Sequence, residues 1–182
     1  DTIVVMVGDN GGALLRGKGT LYELGVRVPL IVRWPGVVKP GVAIAEIVSG
    51  EDLAPTLLEA AGLPVPREMT GRSFLPLLRG QSPADWRRSI YYHYYDPGHG
   101  VQQHYGIRTE RYTLAHFYPV NEWELFDLEK DPLQLRSVFA DSAYGRNSLP
   151  DWVATTLGWI LQTVLRPVGV KGFVILPKRW IV

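Results

Sequence analysis

The chain opens on an unbroken apolar run, Ile3 to Val7, that stops at the polar and permissive residues Gly8-Asp9-Asn10-Gly11. A run without polar alternation suits a strand covered on both faces, and Arg27 to Trp34, closed by Pro35-Gly36, reads the same way despite Pro29. Both predict a core sheet flanked by helices. The spacing predicts a helix between Gly50 and Gly62, with Asp52 as N-cap, Pro55 in the first turn, Leu57, Leu58 and Ala61 on one face, and Gly62 as terminator. Leu63-Pro64-Val65-Pro66 is a turn-rich connector. The apolar stretch Ser73 to Leu78, broken by Pro76, predicts packed loop or a single helical turn.

From Ile90 the pattern changes to short Tyr-rich segments separated by turn residues: Ile90 to Tyr95, Tyr105 to Arg108, Tyr112 to Phe117 and Trp123 to Phe126. An antiparallel sheet is the economical reading, with Thr109-Glu110-Arg111 as a hairpin connection and Asp131-Pro132 as a further turn. Beyond about Gly145 the periodicity ends, Asp151 is the last acid, and Arg166, Lys171, Lys178 and Arg179 lie among tryptophans. The organisation expected is therefore an α/β part over 1–89, a small antiparallel part over 90–145, and an atypical tail over 146–182 that reads as frameshifted or disordered.

Composition narrows the function classes. A net charge of +1 over 182 residues supplies no broad field for nucleic acid or an anionic membrane, so any anion recognition is local. The absence of cysteine excludes disulfides, thiolate metal sites and a cysteine nucleophile. The longest uncharged apolar run, Trp152 to Leu165, is shorter than the ~20 residues of a membrane span, and no transmembrane helix is expected. The chain begins at Asp1 and enters a strand almost at once, which reads as a piece of a longer protein.

The candidate chemistry is concentrated near the first strand. Asp9 and Asn10 offer oxygen donors suited to Ca²⁺ or Mg²⁺ rather than zinc or copper, although the same pair with Gly11 and Gly12 also suits a simple Asx turn. Lys18, between Gly17 and Gly19, places a compact ammonium where backbone can approach an anion; no Walker A pattern surrounds it. Three of the four histidines, His93, His99 and His104, fall within Tyr92 to Tyr105, where rings suit sugar stacking or form a Tyr-rich edge. Arg108, Glu110, Arg111, Glu122, Glu124 and Asp127 read as surface charge pairs across the small sheet. Ser49, Glu51 and Asp52 do not make a serine triad.

Several blocks in fixed order resemble the C-terminal part of the sulfatase family. They are Gly8-Asp9-Asn10-Gly11, Gly17-Lys18-Gly19-Thr20-Leu21-Tyr22-Glu23, Gly25 to Gly36, Asp52 to Leu58, Gly71 to Leu78, Gly106 to Tyr112 and Glu124 to Pro132. The resemblance spans about Thr2 to Tyr144. It implies an alkaline-phosphatase-like α/β core followed by a small antiparallel-sheet subdomain, with Asp9 and Asn10 binding Ca²⁺ and Lys18 contacting the sulfate as a catalytic group. The Tyr92 to Tyr105 block looks like the form in sulfatases of glucosamine-type glycosaminoglycan sugars, which implies that His99 or His104 meets the substrate.

By the same resemblance the nucleophile is a formylglycine hydrate made from the first residue of a Cys/Ser-x-Pro-x-Arg motif. Here the nearest imitation, Ser148-Leu149-Pro150-Asp151-Trp152, ends in Trp, and the family's two further carboxylate ligands are also missing. The 182 residues alone are therefore expected to be inactive, the partner expected is a sulfated carbohydrate or aryl sulfate, and the resemblance implies a periplasmic, extracellular or lysosomal setting. Two alternatives stand beside this reading: a phosphatase or phosphodiesterase of the same superfamily, and a non-catalytic carbohydrate-binding or structural module.

Overall fold

The computed structural model describes residues 2–96 and 100–144. The expected tail, 146–182, and His99 lie outside the described residues. Strand β1 (Val4–Val7) pairs with β2 (Leu30–Arg33) in an antiparallel two-stranded ribbon, with α1 (Glu23–Val26) between them in sequence. A 3₁₀ turn at Gly50–Asp52 leads into α2 (Leu53–Ala60), and α3 (Leu75–Leu78) is the single helical turn expected around Pro76. Strands β3 (Ser89–Tyr94), β4 (His104–Thr109), β5 (Tyr112–Phe117) and β6 (Glu122–Asp127) form an antiparallel meander in the order β3-β4-β5-β6.

Among the described residues the first two strands are covered on one face. In the ribbon Val5 pairs with Val32 and Val7 with Leu30, while Val4 pairs with Arg33 and Met6 with Ile31 on the other face. Leu30 and Val32 pack against the buried cluster Phe74, Leu77, Leu78 and Trp86, but Val4, Met6 and Ile31 are 49%, 51% and 57% exposed. Two strands have only one face that α2 and α3 can reach, so the second stays open among the described residues. No helix there is long and apolar enough to cross a membrane.

Helix α2 forms where expected but turns a different face inward. Pro55 and Thr56 are buried and Leu57 is exposed. Thr56 Oγ1 donates to the Asp52 carbonyl at 2.6 Å and accepts the Phe74 N–H at 2.9 Å, so a polar residue welds α2 to the chain entering α3. Gly62, at φ +69°, ends the helix: its N–H bonds the Glu59 carbonyl and the Leu63 N–H reaches Leu58, the Schellman pattern.

Asp52 does not cap α2 as expected. Its carboxylate is wholly buried and accepts the Ser49 N–H at 2.8 Å, the Arg72 N–H at 2.7 Å and both arms of the Arg87 guanidinium at 2.7 Å. A buried charge persists only when it is paired and hydrogen-bonded, and four donors meet that demand here.

The meander has two unlike faces. Register places Tyr94, Tyr92, His104, Gly106, Arg108, Ala115, Phe117, Glu124 and Phe126 on one side. The other side carries Tyr91, His93, Tyr105, Ile107, Leu114, His116 and Trp123, and Val138 and Tyr144 pack against its Tyr112, Leu114 and Leu125. The first face receives the loop after β1.

Candidate functional site

The site is built where β1 runs out. The Gly8 N–H bonds the Pro29 carbonyl at 3.0 Å and the Gly11 N–H bonds the Gly25 carbonyl at 2.9 Å, pinning both ends of Asp9-Asn10. Gly11 passes so close to α1 that a Cβ there would stand 1.8 Å from the Leu24 carbonyl oxygen, which no side chain can do. Asp9 and Asn10 are exposed. Asp9 Oδ1 accepts the Asn10 N–H at 2.9 Å, and Asn10 Nδ2 donates to the Gly11 carbonyl at 3.0 Å. Asp9 Oδ2 and Asn10 Oδ1 therefore have no protein partner among the described residues. Two free hard oxygens suit a calcium-like cation, yet they are a minority of the about six to eight ligands such an ion takes. No group of three or more His, Cys, Asp or Glu among the described residues could complete it.

Lys18 lies against the same stretch. The Gly12 carbonyl, two residues past Asn10, accepts both the Leu14 N–H at 2.7 Å and the Lys18 N–H at 2.9 Å. The loop thus closes on itself and returns Lys18 to the segment that carries Asp9 and Asn10. A Cβ on Gly17 would meet the Gly12 carbonyl oxygen at 2.2 Å, so the turn needs glycine there. The Thr20 hydroxyl binds the Arg16 and Gly17 carbonyls at 2.9 and 2.7 Å, and Arg16 sits in the left-handed region at φ +61°. Lys18 itself is exposed and forms no ion pair among the described residues.

The four-stranded sheet holds this loop. Leu21, 2% exposed, sits over Gly106, where a Cβ would be 2.5 Å from Leu21 Cδ2 and 2.1 Å from the Leu114 carbonyl oxygen. The Leu21 N–H donates to His104 Nε2 at 3.2 Å. The Tyr22 hydroxyl donates to Glu124, and the Arg16 guanidinium lies 3.9 Å from the Tyr22 ring centroid, a cation–π contact. Burial, then the bond to Glu124, pushes the Tyr22 phenol up to about 12. Glu23 pairs with Arg108 at 2.6 Å, and its N–H donates to Gln134 Oε1 at 2.6 Å. Arg108 and Glu124 thus do not pair across the sheet as expected, because each serves the loop; Arg111 instead grips the buried Asp127 with two bonds of 3.0 and 2.8 Å.

The expected substrate histidine does other work. His104 is wholly buried; its Nδ1–H donates to the Gln102 carbonyl at 2.7 Å, which makes Nε2 the acceptor for Leu21. Burial holds its pKa below the usual 6.5. With both nitrogens bonded to backbone, His104 positions the loop. His116 is also buried, its ring between the Tyr105 hydroxyl at 2.7 Å and Asn121 Oδ1 at 3.1 Å and stacked on Trp123 at 4.1 Å. Leu21, Tyr22, Arg16 and Gly106 were not singled out as site-building residues. The available signal is Gly106, a glycine inside the strand-like run Tyr105 to Arg108, which marks a close approach.

Comparison with known proteins gives one consistent family. The profile described as N-sulphoglucosamine sulphohydrolase, C-terminal, matches residues 14–149. The chain is 40% identical over 155 residues to an N-acetylglucosamine-6-O-sulfatase of Bacteroides thetaiotaomicron, covering 80% of this chain and 28% of that protein. It is 38% identical over 133 residues to human arylsulfatase A, covering 65% of this chain and 25% of that one. A solved structure, described as in complex with its substrate D-glucosamine-2-N,6-O-disulfate, superposes with a TM-score of 0.74 at 34% identity, covering 88% of this chain and 34% of the other. A phosphonate monoester hydrolase of Agrobacterium radiobacter superposes at 0.70 with 28% identity, covering 89% and 35%. The chain spans about a quarter to a third of the length of these relatives.

Proposed function

Because this chain belongs to the sulfatase family, within the alkaline-phosphatase-like superfamily, we propose that it supplies part of the site of an enzyme hydrolysing sulfuric esters of sugars. The observation that carries this reading is the 2.9 Å bond from the Lys18 N–H to the Gly12 carbonyl, which returns the Lys18 backbone to the segment that carries Asp9 and Asn10, all three residues being exposed. The sugar preference is drawn from the glucosamine sulfatases among its relatives.

In this proposal Lys18 binds a sulfuryl oxygen, and its charge offsets the negative charge that develops as the ester bond breaks. Asp9 and Asn10 would hold Ca²⁺, with Mg²⁺ as the other hard candidate; when bound, the cation supplies Lewis-acid charge at the same oxygens. Glycines 11, 17 and 25 let the backbone pack closely enough to keep these groups adjacent, and the sheet face under Leu21 keeps the loop from collapsing outward. The nucleophile, a formylglycine by family resemblance, and the remaining cation ligands would come from residues outside these 182, which contain no Cys/Ser-x-Pro-x-Arg motif. These 182 residues alone are then inactive, and a setting in the periplasm, lysosome or extracellular space follows from the family.

The test is an assay of the complete gene product on sulfate and phosphate esters side by side. Turnover of a sulfated glucosamine that is lost in Lys18→Ala supports the reading. A preference for phosphate or phosphonate monoesters would instead favour the chemistry named for the phosphonate monoester hydrolase relatives. Sugar binding without turnover would make the complete protein a binding module.

A further inference from the structure

Tyr94 is the last residue of β3, the edge strand of the sheet, on the face that receives the Lys18 loop. Its ring lies over His104, 5.8 Å between centroids at 31°. Gly19 has φ +82°, and a Cβ built there would start 3.1 Å from Tyr94 Cε2, 3.2 Å from Cζ and 3.4 Å from Oη. The hydroxyl end of the phenol therefore stands against Gly19, one residue from Lys18. Tyr94 is only half-buried, and its hydroxyl makes no hydrogen bond to protein among the described residues. Burial, then the Asp96 carboxylate, holds its pKa above the ordinary value, so at neutral pH the hydroxyl is a donor.

The imidazole that sequence assigned to the substrate is sealed beneath this ring with both nitrogens used. What the block presents against the Lys18 loop, at Gly19, is a phenol. A phenol hydroxyl is a poor match for the sulfate itself once Lys18 and a cation occupy its oxygens. It is a good match for a polar group three or four bonds beyond the ester oxygen. A sulfated hexosamine carries such acceptors on its ring, whereas a nitrophenyl sulfate has only carbon there.

We propose that Tyr94 is a specificity-determining residue whose hydroxyl donates to a hydroxyl or amine-borne oxygen of a sulfated hexosamine bound through its sulfate at Lys18. The assignment rests on the sulfatase reading above and adds to it the group that tells a sugar from an aryl ester. The bond is made to the part of the substrate that does not react, so its loss falls on binding.

The experiment compares wild type with Tyr94→Phe in the complete gene product, using D-glucosamine-2-N,6-O-disulfate and 4-nitrophenyl sulfate. Phenylalanine keeps the ring on His104 and Gly19 and removes one oxygen. KM for the sugar should rise about three- to tenfold, the worth of one neutral hydrogen bond, with kcat little changed and the aryl ester hydrolysed as before. Unchanged constants on the sugar, or equal losses on both esters, in an otherwise active enzyme overturn the Tyr94 contact and leave the sulfatase reading standing. A wild type that turns over neither ester overturns both.

Discussion

The imidazole of His104 accepts the backbone N–H of Leu21 at 3.2 Å, and through that bond strand β4 holds the loop three residues beyond Lys18. The acceptor exists only while the ring is neutral, because a protonated imidazole has no lone pair to offer. Around it lie the rings of Tyr92, Tyr94 and Phe117, the Leu21 N–H and the Gln102 carbonyl, with no carboxylate hydrogen-bonded to it among the described residues to favour the charged form.

Stability should therefore fall in mild acid. Burial depresses the pKa of His104 below 6.5, that of His116 in the same direction, and that of His93 to about 4. Between the folded values and 6.5 the unfolded chain binds protons that the folded chain refuses, so stability rises with pH through that window, is fully present above it, and is lost as pH falls through the folded pKa values. Thermal midpoints measured from about pH 7.5 down to about pH 4.5 should drop, and His104→Asn should lessen the drop. A flat profile would show that the imidazoles titrate normally.

The elements themselves were largely legible in the sequence. Strand β5 falls on Tyr112–Phe117 as expected, because β-type residues between turn residues leave few other choices. The helix after Gly50 and its stop at Gly62 were legible from proline and glycine alone. Faces were not. Leu57 reads as core and is exposed, while Thr56 is buried, because the inward face of α2 is chosen in part by the Phe74 partner, far along the chain from Thr56. The adjacency of Asp9, Asn10 and Lys18 was marked by the glycines between them, but the sheet that seats the loop was invisible: Leu21 meets Gly106 across 85 residues of sequence, and nothing local announces such a contact.

That contact sets up a second prediction. Gly106→Val places a branched side chain where even a Cβ would sit 2.1 Å from the Leu114 carbonyl oxygen and 2.5 Å from Leu21. Overpacking of this kind costs about 1–3 kcal/mol or more, and backbone that cannot yield puts it at the upper end. A chemical denaturation midpoint should fall accordingly, and Leu21→Ala combined with Gly106→Ala should recover part of what Gly106→Ala alone loses. Independent, additive effects would mean that Leu21 does not rest on that position.

The buried carboxylate of Asp52 gives a third. Arg87→Ala removes two 2.7 Å bonds and leaves a charge with 0% exposure facing backbone donors only. Breaking one side of such a pair costs about 3–5 kcal/mol, so this variant should unfold at lower denaturant than Arg111→Ala, whose guanidinium is partly exposed and whose partner Asp127 keeps the Tyr144 hydroxyl as a side-chain donor. Comparable losses from the two variants would show that Asp52 is better hydrated than its burial implies.

The last prediction concerns Lys18 and the Asp9-Asn10 segment, whose loop the Gly12 carbonyl closes. If Lys18 neutralises the sulfuryl group, Lys18→Ala in the complete protein should cut kcat by roughly 10²–10³ while the fold stays intact, because the side chain is exposed. Lys18→Arg should recover little, since a planar fork replaces a point charge in a turn shaped by Gly17 and Gly19. Asp9→Ala should instead weaken cation dependence: activity stripped by a chelator would return only at higher Ca²⁺ than wild type needs. The two losses separate the two roles. A Lys18→Ala enzyme with normal kcat, or an Asp9→Ala enzyme with a wild-type Ca²⁺ requirement, would remove the corresponding residue from the site.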